Sequence, residues 1–338
     1  MQSTPTEFTN AGETLIRPDR GSSYEPGQIL FANDSRFLET YFSEPLTNYA
    51  VGWRDPNDIE GSLNFIAPPV VVGRRFEWKK AANAEEFLSE VIDDQRAIGS
   101  DFKRVEYTAS DVTDKTYNKG LTYIVDLDNV NELDPNWQNN KVGKLLRRLY
   151  RNELRRGLTA LSASATNTGV TWDTTAGKNP DQDIKTGLLA ATTATGIRPN
   201  RVWYGDSAWN QRSLSYEGQT GTSTAFANIV AMNEAQLAQR LSVDAVRVSR
   251  ERYQTSATAK SEIVGSNVYA FFAEDGMDTE DPSNLKRFVS MFSREQGGGL
   301  VRVYVQQISS KLVAITVEHY SKIIVTYSGG LYSWTVTA

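Results

Sequence analysis

The sequence predicts a mixed α+β chain organised around one long amphipathic helix, and three observations point there. Between residues 136 and 165, Val142, Leu145, Leu146, Leu149, Leu154, Leu158 and Leu161 recur at the spacing of a single apolar stripe. Later segments change to β-branched runs such as Val301 to Ile308 and Leu312 to Glu318. The first 35 residues show no helical period and carry breakers at Pro5, Gly12, Pro18, Gly21, Pro26 and Gly27. With 338 residues, 39% hydrophobic and 23% charged, the chain can bury at least one sizeable core.

The opening segment reads as an extended arm, and its scattered Phe8, Leu15 and Ile16 favour an arm that lies on a neighbour over a disordered terminus. From Leu46 to Pro69 the chain stays irregular, with turns at Asp55-Pro56 and Pro68-Pro69. Val70 to Val72 lead past Gly73 into Arg75-Phe76-Glu77-Trp78-Lys79, where Phe76 and Trp78 alternate with charges at strand period. Ala84 to Arg96 reads as a short helix with Phe87, Leu88, Val91 and Ile92 on one side. Lys103 to Thr108 and Thr116 to Asp128 read as returning strands, the second with Leu121, Tyr123, Val125 and Leu127 at period two. Together they predict a long two-stranded excursion. A lone hairpin buries little apolar area, so something outside it is expected to hold it.

For the long helix, Asp134 offers an N-cap and Pro135 a first helical residue. At 1.5 Å per residue such a helix is roughly 40 Å long. Its second face is basic: Lys141, Lys144, Arg147, Arg148, Arg151, Arg155 and Arg156 stand against one acid, Glu153, on a chain of net charge −5. One reading is a solvated face. Exposed helices usually mix signs at i,i+4, however, and like charges crowd here, which invites an anionic partner, either phosphates or an acidic patch of another subunit.

After a polar link from Thr166 to Asn179, Asp183 to Thr195 reads as a helix and Gly196-Ile197-Arg198-Pro199-Asn200 as a turn into a strand at Arg201 to Tyr204. Asp206 or Ser207 would cap a helix through Leu214, followed by a loop from Gly218 to Thr224 and a helix from Asn233 to Leu241. Val243 to Val248 and Val268 to Phe272 read as strands, and Glu274, Asp275, Asp278, Glu280 and Asp281 form an acidic loop. Past a turn at Gly297-Gly298-Gly299 come strands at 301–308, 312–318 and 323–327, then Ser328-Gly329-Gly330 and a last strand at 331–336, read as a β meander.

The chemistry available is narrow. Without cysteine there are no disulfides, thiolate metal sites or cysteine nucleophiles, and with one histidine, His319, there is no multi-histidine metal centre. The net charge argues against a globally basic nucleic-acid binder. Gly218-Gln219-Thr220-Gly221 lacks the Lys-Ser/Thr ending of a phosphate loop. Gly205-Asp206-Ser207-Ala208-Trp209 has the outline of a nucleophile elbow, but Trp209 stands where the sharp turn needs glycine, and Ser207 is more simply a helix cap. Asp126, Asp128, Asn131 and Asp134 lack the calcium-loop glycine and read as turn and cap residues, while the acidic loop at 274–281 would be either solvated or a divalent-cation site. No catalytic, cofactor-binding or metal-ligating residue is assigned, and the chain reads as non-enzymatic. No run of about 20 apolar residues could cross a bilayer, and the N-terminus lacks a basic cap and apolar run, so cytoplasmic synthesis without a membrane anchor is expected. Projecting elements without an internal partner usually meet another copy, which favours a lattice or shell subunit.

The order of features carries a resemblance: an extended arm, strands around Arg75 to Lys80 and Lys103 to Asp128, the long helix from Trp137, then a helix followed by the stretch from Thr195 to Asn210 with its Pro-Asn, apolar strand, Gly and Trp. In these features the sequence resembles the major capsid proteins of tailed bacteriophages, with the Hong Kong 97-type fold. The resemblance implies an N-terminal arm at 1–45, a connection into the peripheral domain at 46–69 and an extended E-loop hairpin at 70–125. A peripheral domain with the spine helix would follow at 126–182, an axial domain at 183–296, and return strands, mainly peripheral, at 297–338. It implies a homo-oligomer of hexamers and pentamers that closes an icosahedral virion shell around double-stranded DNA, assembled in the host cytoplasm and holding that DNA by non-specific contact. A portal and a decoration protein belong to the partners it implies. The short arm leaves no room for a large fused scaffold, so a separate scaffold protein is expected. Arg74, Arg75, Lys79 and Lys80 would bridge subunits from the E-loop, and Lys144, Arg147, Arg148, Arg151 and Arg155 would face the interior or a neighbour's acidic surface. Two rivals remain: an encapsulin-like nanocompartment with protein cargo, and a soluble hydrolase using Ser207 or His319.

Overall fold

A computed structural model of the chain describes residues 7–10, 13–16, 41–81, 95–96, 101, 109–130, 134–175, 177–219, 229–276, 282–292 and 299–338. In the arm, β1 (Glu7–Asn10) pairs antiparallel with β2 (Glu13–Ile16), placing Phe8 opposite Leu15. Two short helices follow, α1 (Glu44–Gly52) and α2 (Ile59–Ile66), the second capped by Asp58, whose side chain accepts from the Gly61 amide. Next come β3 (Pro69–Val71), β4 (Arg75–Ala81), β5 (Ala109–Lys115), β6 (Tyr117–Asp126) and the long helix α3 (Trp137–Ser164). The chain continues through β7 (Thr166–Thr171), α4 (Pro180–Thr195), β8 (Arg201–Gly205), α5 (Asp206–Gln219) and α6 (Glu234–Leu241). It ends with β9 (Ala245–Ser249), β10 (Arg252–Gln254), β11 (Lys260–Glu262), β12 (Asn267–Phe271), β13 (Leu285–Ser290), β14 (Val301–Gln307), β15 (Leu312–Val325) and β16 (Tyr332–Thr337).

Two sheets carry the architecture. In the first, β15 is the central strand: β6 pairs along residues 312–321, β14 along 313–319 and β13 along 320–325. Tyr320 and Ser321 pair with both β6 and β13, so those two strands lie on opposite edges of β15, and β13 and β14 sit end to end on one edge. A bridge between Phe292 and Gly299 closes the chain between them. β3 adds to β13 in parallel. The second sheet has the order β7-β16-β12-β8-β9.

The long helix covers both sheets. Near its start Val142, Leu145 and Leu146 pack with Leu46 and Ala50 of α1 on Val301, Val303, Val313, Ile315 and Val317 of the first sheet. Further along, Leu154 and Leu161 pack with Ile59, Leu63 and Ile66 of α2 against Trp203, Tyr269 and Phe271 of the second. Strand alternation then sends Val202 and Tyr204 of β8 to the opposite face, where Ile184 and Leu188 of α4, Ala208 of α5 and Leu237 and Leu241 of α6 close a separate core. The β4/β5 ribbon lies on the face of the first sheet away from α3: Phe76 and Trp78 pack on Val70 and Phe288, and Lys322 donates to Asp114 Oδ1 at 2.6 Å.

Several sequence expectations shift. Within the excursion, β4 pairs with β5. β6 is instead a ten-residue partner of β15, which supplies the external support the ribbon required. The runs 312–318 and 323–327 fuse into one strand because Tyr320 to Lys322 keep their ladder partners. The C-terminus is no meander: after a turn with Gly330 at φ 72°, β16 leaves for the second sheet, where Trp334 and Val336 enter its core. Asp134 does not cap α3; it accepts from the Asn136 amide at 2.9 Å and from Asn140 Nδ2 at 3.1 Å, and Asn136 holds the cap position. α1, α2 and β7 arise where an irregular segment and a link were expected, and α5 runs on to Gln219. The sheets also divide the chain differently from borders at 182/183 and 296/297, since β13 belongs to the first sheet while β7 and β16 belong to the second. The expected strand at 103–108 and most of the helix expected at 84–96 lie outside the described residues, as do the end of the loop at 218–224 and most of the acidic loop.

One close approach fixes the start of α5. A Cβ on Gly205 would stand 1.8 Å from the Gly265 carbonyl oxygen, whereas one on Gly169 of β7 would meet nothing within 4 Å. Gly205→Ala is therefore expected to destabilise the fold by about 1–3 kcal/mol or more, and Gly169→Ala by less than about 0.5 kcal/mol. Chemical denaturation midpoints of the two variants check this.

Candidate functional site

The basic face of α3 is divided among several uses. Arg147 Nε donates to Asp55 Oδ1 at 2.9 Å, and its guanidinium lies 6.0 Å from the Trp53 ring. Lys141 sits 5.0 Å over Tyr123, and Arg155 4.0 Å over Tyr253. Arg156 pairs with Glu153 at 2.5 Å. Lys144 and Arg148 are exposed and form no ion pair among the described residues. Arg151 is half-buried, and its Nε is buried without a hydrogen-bond partner among them. The expected crowding of like charge is thus relieved at Arg147 and Arg156 by acids and at Lys141 and Arg155 by rings, leaving Lys144, Arg148 and Arg151 to act on something else.

On the ribbon the alternation holds, with Phe76 and Trp78 buried and Arg75, Glu77 and Lys79 exposed. Arg74 precedes β4, and its guanidinium lies 4.4 Å over the Tyr320 ring, directed at its own sheet. Arg75 stands opposite Lys115, Lys79 opposite Asp111 and Lys80 opposite Ser110.

Glu153, the one acid in the basic stretch, is fully buried and is the hub of a polar cluster between α3 and the first sheet. Lys119 of β6 donates to its two oxygens at 2.8 and 3.1 Å, and Ser321 of β15 donates at 2.9 Å. Lys119 also donates to Ser321 Oγ at 3.1 Å, and His319 Nε2 lies 3.0 Å from the same oxygen. Because the serine proton goes to Glu153, His319 must present Nε2–H, which leaves Nδ1 bare; that atom is buried without a partner among the described residues. Burial pulls His319 down to about 4, with Lys119, Arg287 and Arg156 acting in the same direction and Glu153 opposing. For Glu153, burial favours the neutral acid, but Lys119, His319 and the hydrogen bonds from Lys119 and Ser321 outweigh it and hold the carboxyl below its ordinary value. Burial likewise draws the Lys119 ammonium down, against the pull of Glu153. A buried charge is tolerable only when paired and hydrogen-bonded in this way.

Ser207 and His319 are not brought together. Ser207 lies in the first turn of α5, where its hydroxyl donates to Glu262 Oε1 at 3.0 Å and its amide to Oε2 at 3.2 Å, so it serves as a donor and not as the expected cap. Trp209 packs edge-on against Tyr204, with ring centroids 5.5 Å apart. Asp126 takes the expected turn role, accepting from the Asp128 amide at 3.0 Å. Asp275 of the acidic loop pairs with Arg201 at 2.7 Å. Among the described residues no group of three or more His, Cys, Asp or Glu is arranged to hold a metal, and no helix is long and apolar enough to cross a membrane.

The Thr195 to Asn210 stretch proves to be a junction. Gly196 closes α4 at φ 73°, and Arg198 Nη2 donates to the Leu241 carbonyl at 3.0 Å. The Asn200 side chain accepts from the Ala273 amide at 2.9 Å and donates to the Ala273 carbonyl at 3.0 Å and to Asp244 Oδ2 at 3.1 Å. These bonds tie the entry of β8 to α6, β9 and β12. Sequence reasoning missed a second cationic group: Arg247, Arg250 and Arg252, with Lys260, line a cleft that Arg151 also reaches. The Arg-x-x-Arg-x-Arg spacing was its only signal, because those residues converge through the turn between β9 and β10.

No family model and no curated protein sequence matches the chain. Among solved structures, the fold is similar to that of a phage-related protein from Bordetella bronchiseptica, at 16% identity over 87% of this chain and 96% of that one, with a TM-score of 0.63. It is also similar to a chain in the capsid of cyanophage P-SCSP1u, at 9% identity over 94% and 93%, with a TM-score of 0.50. A chain of the holo-SrpI encapsulin complex from Synechococcus elongatus aligns at 11% identity over 79% and 84%, with a TM-score of 0.46, and adds nothing to the fold assignment. At these identities the likeness is one of fold. The chain has the α+β fold of Hong Kong 97-type phage capsid proteins, as its sequence resemblance implied.

The Glu153 cluster sets a pH response. His319 is neutral in the fold and has an ordinary value near 6.5, so unfolding takes up a proton below that pH. Stability is fully present above about pH 6.5 and falls toward pH 4, by about 3 kcal/mol in all, with Glu153 adding a further loss below its own ordinary value. Thermal melts of the full chain across this range should show the decline, and His319→Gln should flatten its upper part; identical profiles would contradict the assignment.

Proposed function

We propose that this chain is the subunit of a phage capsid shell, joining copies of itself into hexamers and pentamers that close around double-stranded DNA. The observation that carries the reading is the fold match across 94% of this chain and 93% of a chain from a cyanophage capsid. Surface features support it. Tyr117, Tyr123 and Ile124 of β6 are 48%, 45% and 53% exposed, and β6 has one partner strand among the described residues, so large apolar side chains stand exposed on both faces of a sheet edge. Lys144 and Arg148 present charge that no acid neutralises among the described residues, on the helix that packs on both sheets.

In this reading β4 and β5 are the base of the E-loop, α3 is the spine helix, and the second sheet with α4, α5 and α6 is the core of the axial domain. Lys144 and Arg148 meet either the phosphates of packaged DNA or an acidic surface of the next subunit, and such contacts weaken as salt rises. Arg75, Lys79 and Lys80 act between subunits, whereas Arg74 and Arg147 serve contacts within their own chain. A scaffold protein and a portal complete the assembly, which forms in the host cytoplasm and persists in the virion. The reading assigns no reaction.

Negative-stain microscopy of the expressed protein tests this. Closed shells containing nucleic acid are expected; shells holding only protein cargo would favour the encapsulin-like alternative, and monomers alone would overturn both. Lys144→Glu with Arg148→Glu should leave the melting temperature unchanged, because neither side chain has an ion pair among the described residues, while cutting the yield of filled particles about tenfold. An unchanged yield would remove these two residues from the assembly interface.

A further inference from the structure

A cleft of about 850 Å3 opens beside α3 and the end of α2, walled by the segment from β9 to β11. Cations reach it from separate segments: Arg151 of α3, Arg247 of β9, Arg250 of the following turn, Arg252 of β10 and Lys260 of β11. Its carboxylates are Glu234 and Glu251. The buried Glu251 is already occupied, accepting from Ser62 and, at 2.5 Å, from Ser249. Two of the cations are occupied as well: Arg247 holds Asp58 at 2.8 Å, and Arg252 holds Asp206 at 3.0 Å and Glu262 at 3.1 Å.

Three cations remain. Arg250 reaches Glu234 and Asp206 only at 3.8 and 4.0 Å. Arg151 and Lys260 have no ion pair among the described residues, and Arg151 Nε is buried with no acceptor. A buried N–H without an acceptor costs free energy that an arriving oxygen would recover. Behind the lining, Arg155 stacks on Tyr253 at 4.0 Å and Arg201 on Phe65 at 5.4 Å, so the aromatic residues of the cleft are themselves backed by positive charge.

We propose that this cleft binds an oligophosphate. Guanidinium forks match phosphate oxygens in geometry and charge. Two cations without an ion pair among the described residues, Arg151 and Lys260, and the long-range-paired Arg250 converge from α3, β11 and a turn, and suit a compact anion with oxygens on several sides better than a single carboxylate. The volume lies within the usual range for small-ligand sites. The phosphates come from a free di- or triphosphate or from the backbone of a nucleic-acid strand; the recognising chemistry is the same. The proposal does not rest on the shell reading, since it needs only the single chain.

Isothermal titration of the full-length protein with inorganic tripolyphosphate, at about 50 mM salt, tests it. One tripolyphosphate should bind per chain. Arg250→Gln and Lys260→Glu, both at exposed positions, should each weaken binding about tenfold or more, with the thermal melt unmoved in Lys260→Glu, whose side chain has no ion pair among the described residues. An oligothymidylate strand that binds and is displaced by tripolyphosphate would assign the site to nucleic-acid backbone. Tripolyphosphate binding without oligothymidylate binding would assign it to a free oligophosphate. Either result upholds the proposal. Absence of tripolyphosphate binding, binding untouched by both substitutions, or binding of polyglutamate alone would overturn it. Microscopy of assembled particles judges the shell reading separately, so the two can fail independently.

Discussion

The structure depends on one helix serving two sheets. The 28 residues of α3 span roughly 42 Å, enough to lie on the first sheet near one end and under the second near the other. Between the two cores the helix passes Lys119, His319 and Ser321, and at that point its stripe is interrupted by Glu153. An apolar residue there would pack without cost, but Lys119 would then lose its partner in a largely enclosed site. The carboxylate is therefore required by the lysine as much as the reverse, and the pair fixes where along the helix the first sheet attaches.

Much of this was legible in the sequence because it follows from period. The apolar stripe gave α3 to within a residue at each end, and the alternation at Phe76 and Trp78 gave β4 with its inner face. What stayed hidden was partner choice. Nothing local in Tyr117 to Asp126 states that it pairs with a strand nearly 200 residues later, or that the polar Thr166 to Thr171 adds to a sheet edge beside β16. Short helices such as α1, at nine residues, give too few turns for the stripe to stand out. The basic residues of α3 were visible as a group, but their separate fates depend on Asp55, Tyr123 and Tyr253, each brought in by another part of the fold. His319 was conspicuous as the chain's one histidine, yet its burial beside Glu153 is a product of register alone.

The same dependence explains why one fold can be shared by chains of only 16% identity. Its requirements are a stripe, an alternation and a few junctions such as Asn200, each of which many residues satisfy. In the proposed shell reading, function attaches to the surfaces left over: the ribbon, the outward charges of α3 and the edge strand β6.

The end-to-end placement of β13 and β14 along one edge of β15 has a consequence for variation. The ladder with β15 stops at Ser290 and resumes at Val301, with a bridge between Phe292 and Gly299 pinning the two ends. The number of residues between the two ends of that bridge is therefore uncoupled from the ladder, and residues can be added or removed there without slipping any neighbouring pair. Within β15 itself, one extra residue would turn every later side chain over and expel Ile323 and Val325 from the interior, so tolerance to insertion differs sharply between two places only one strand apart.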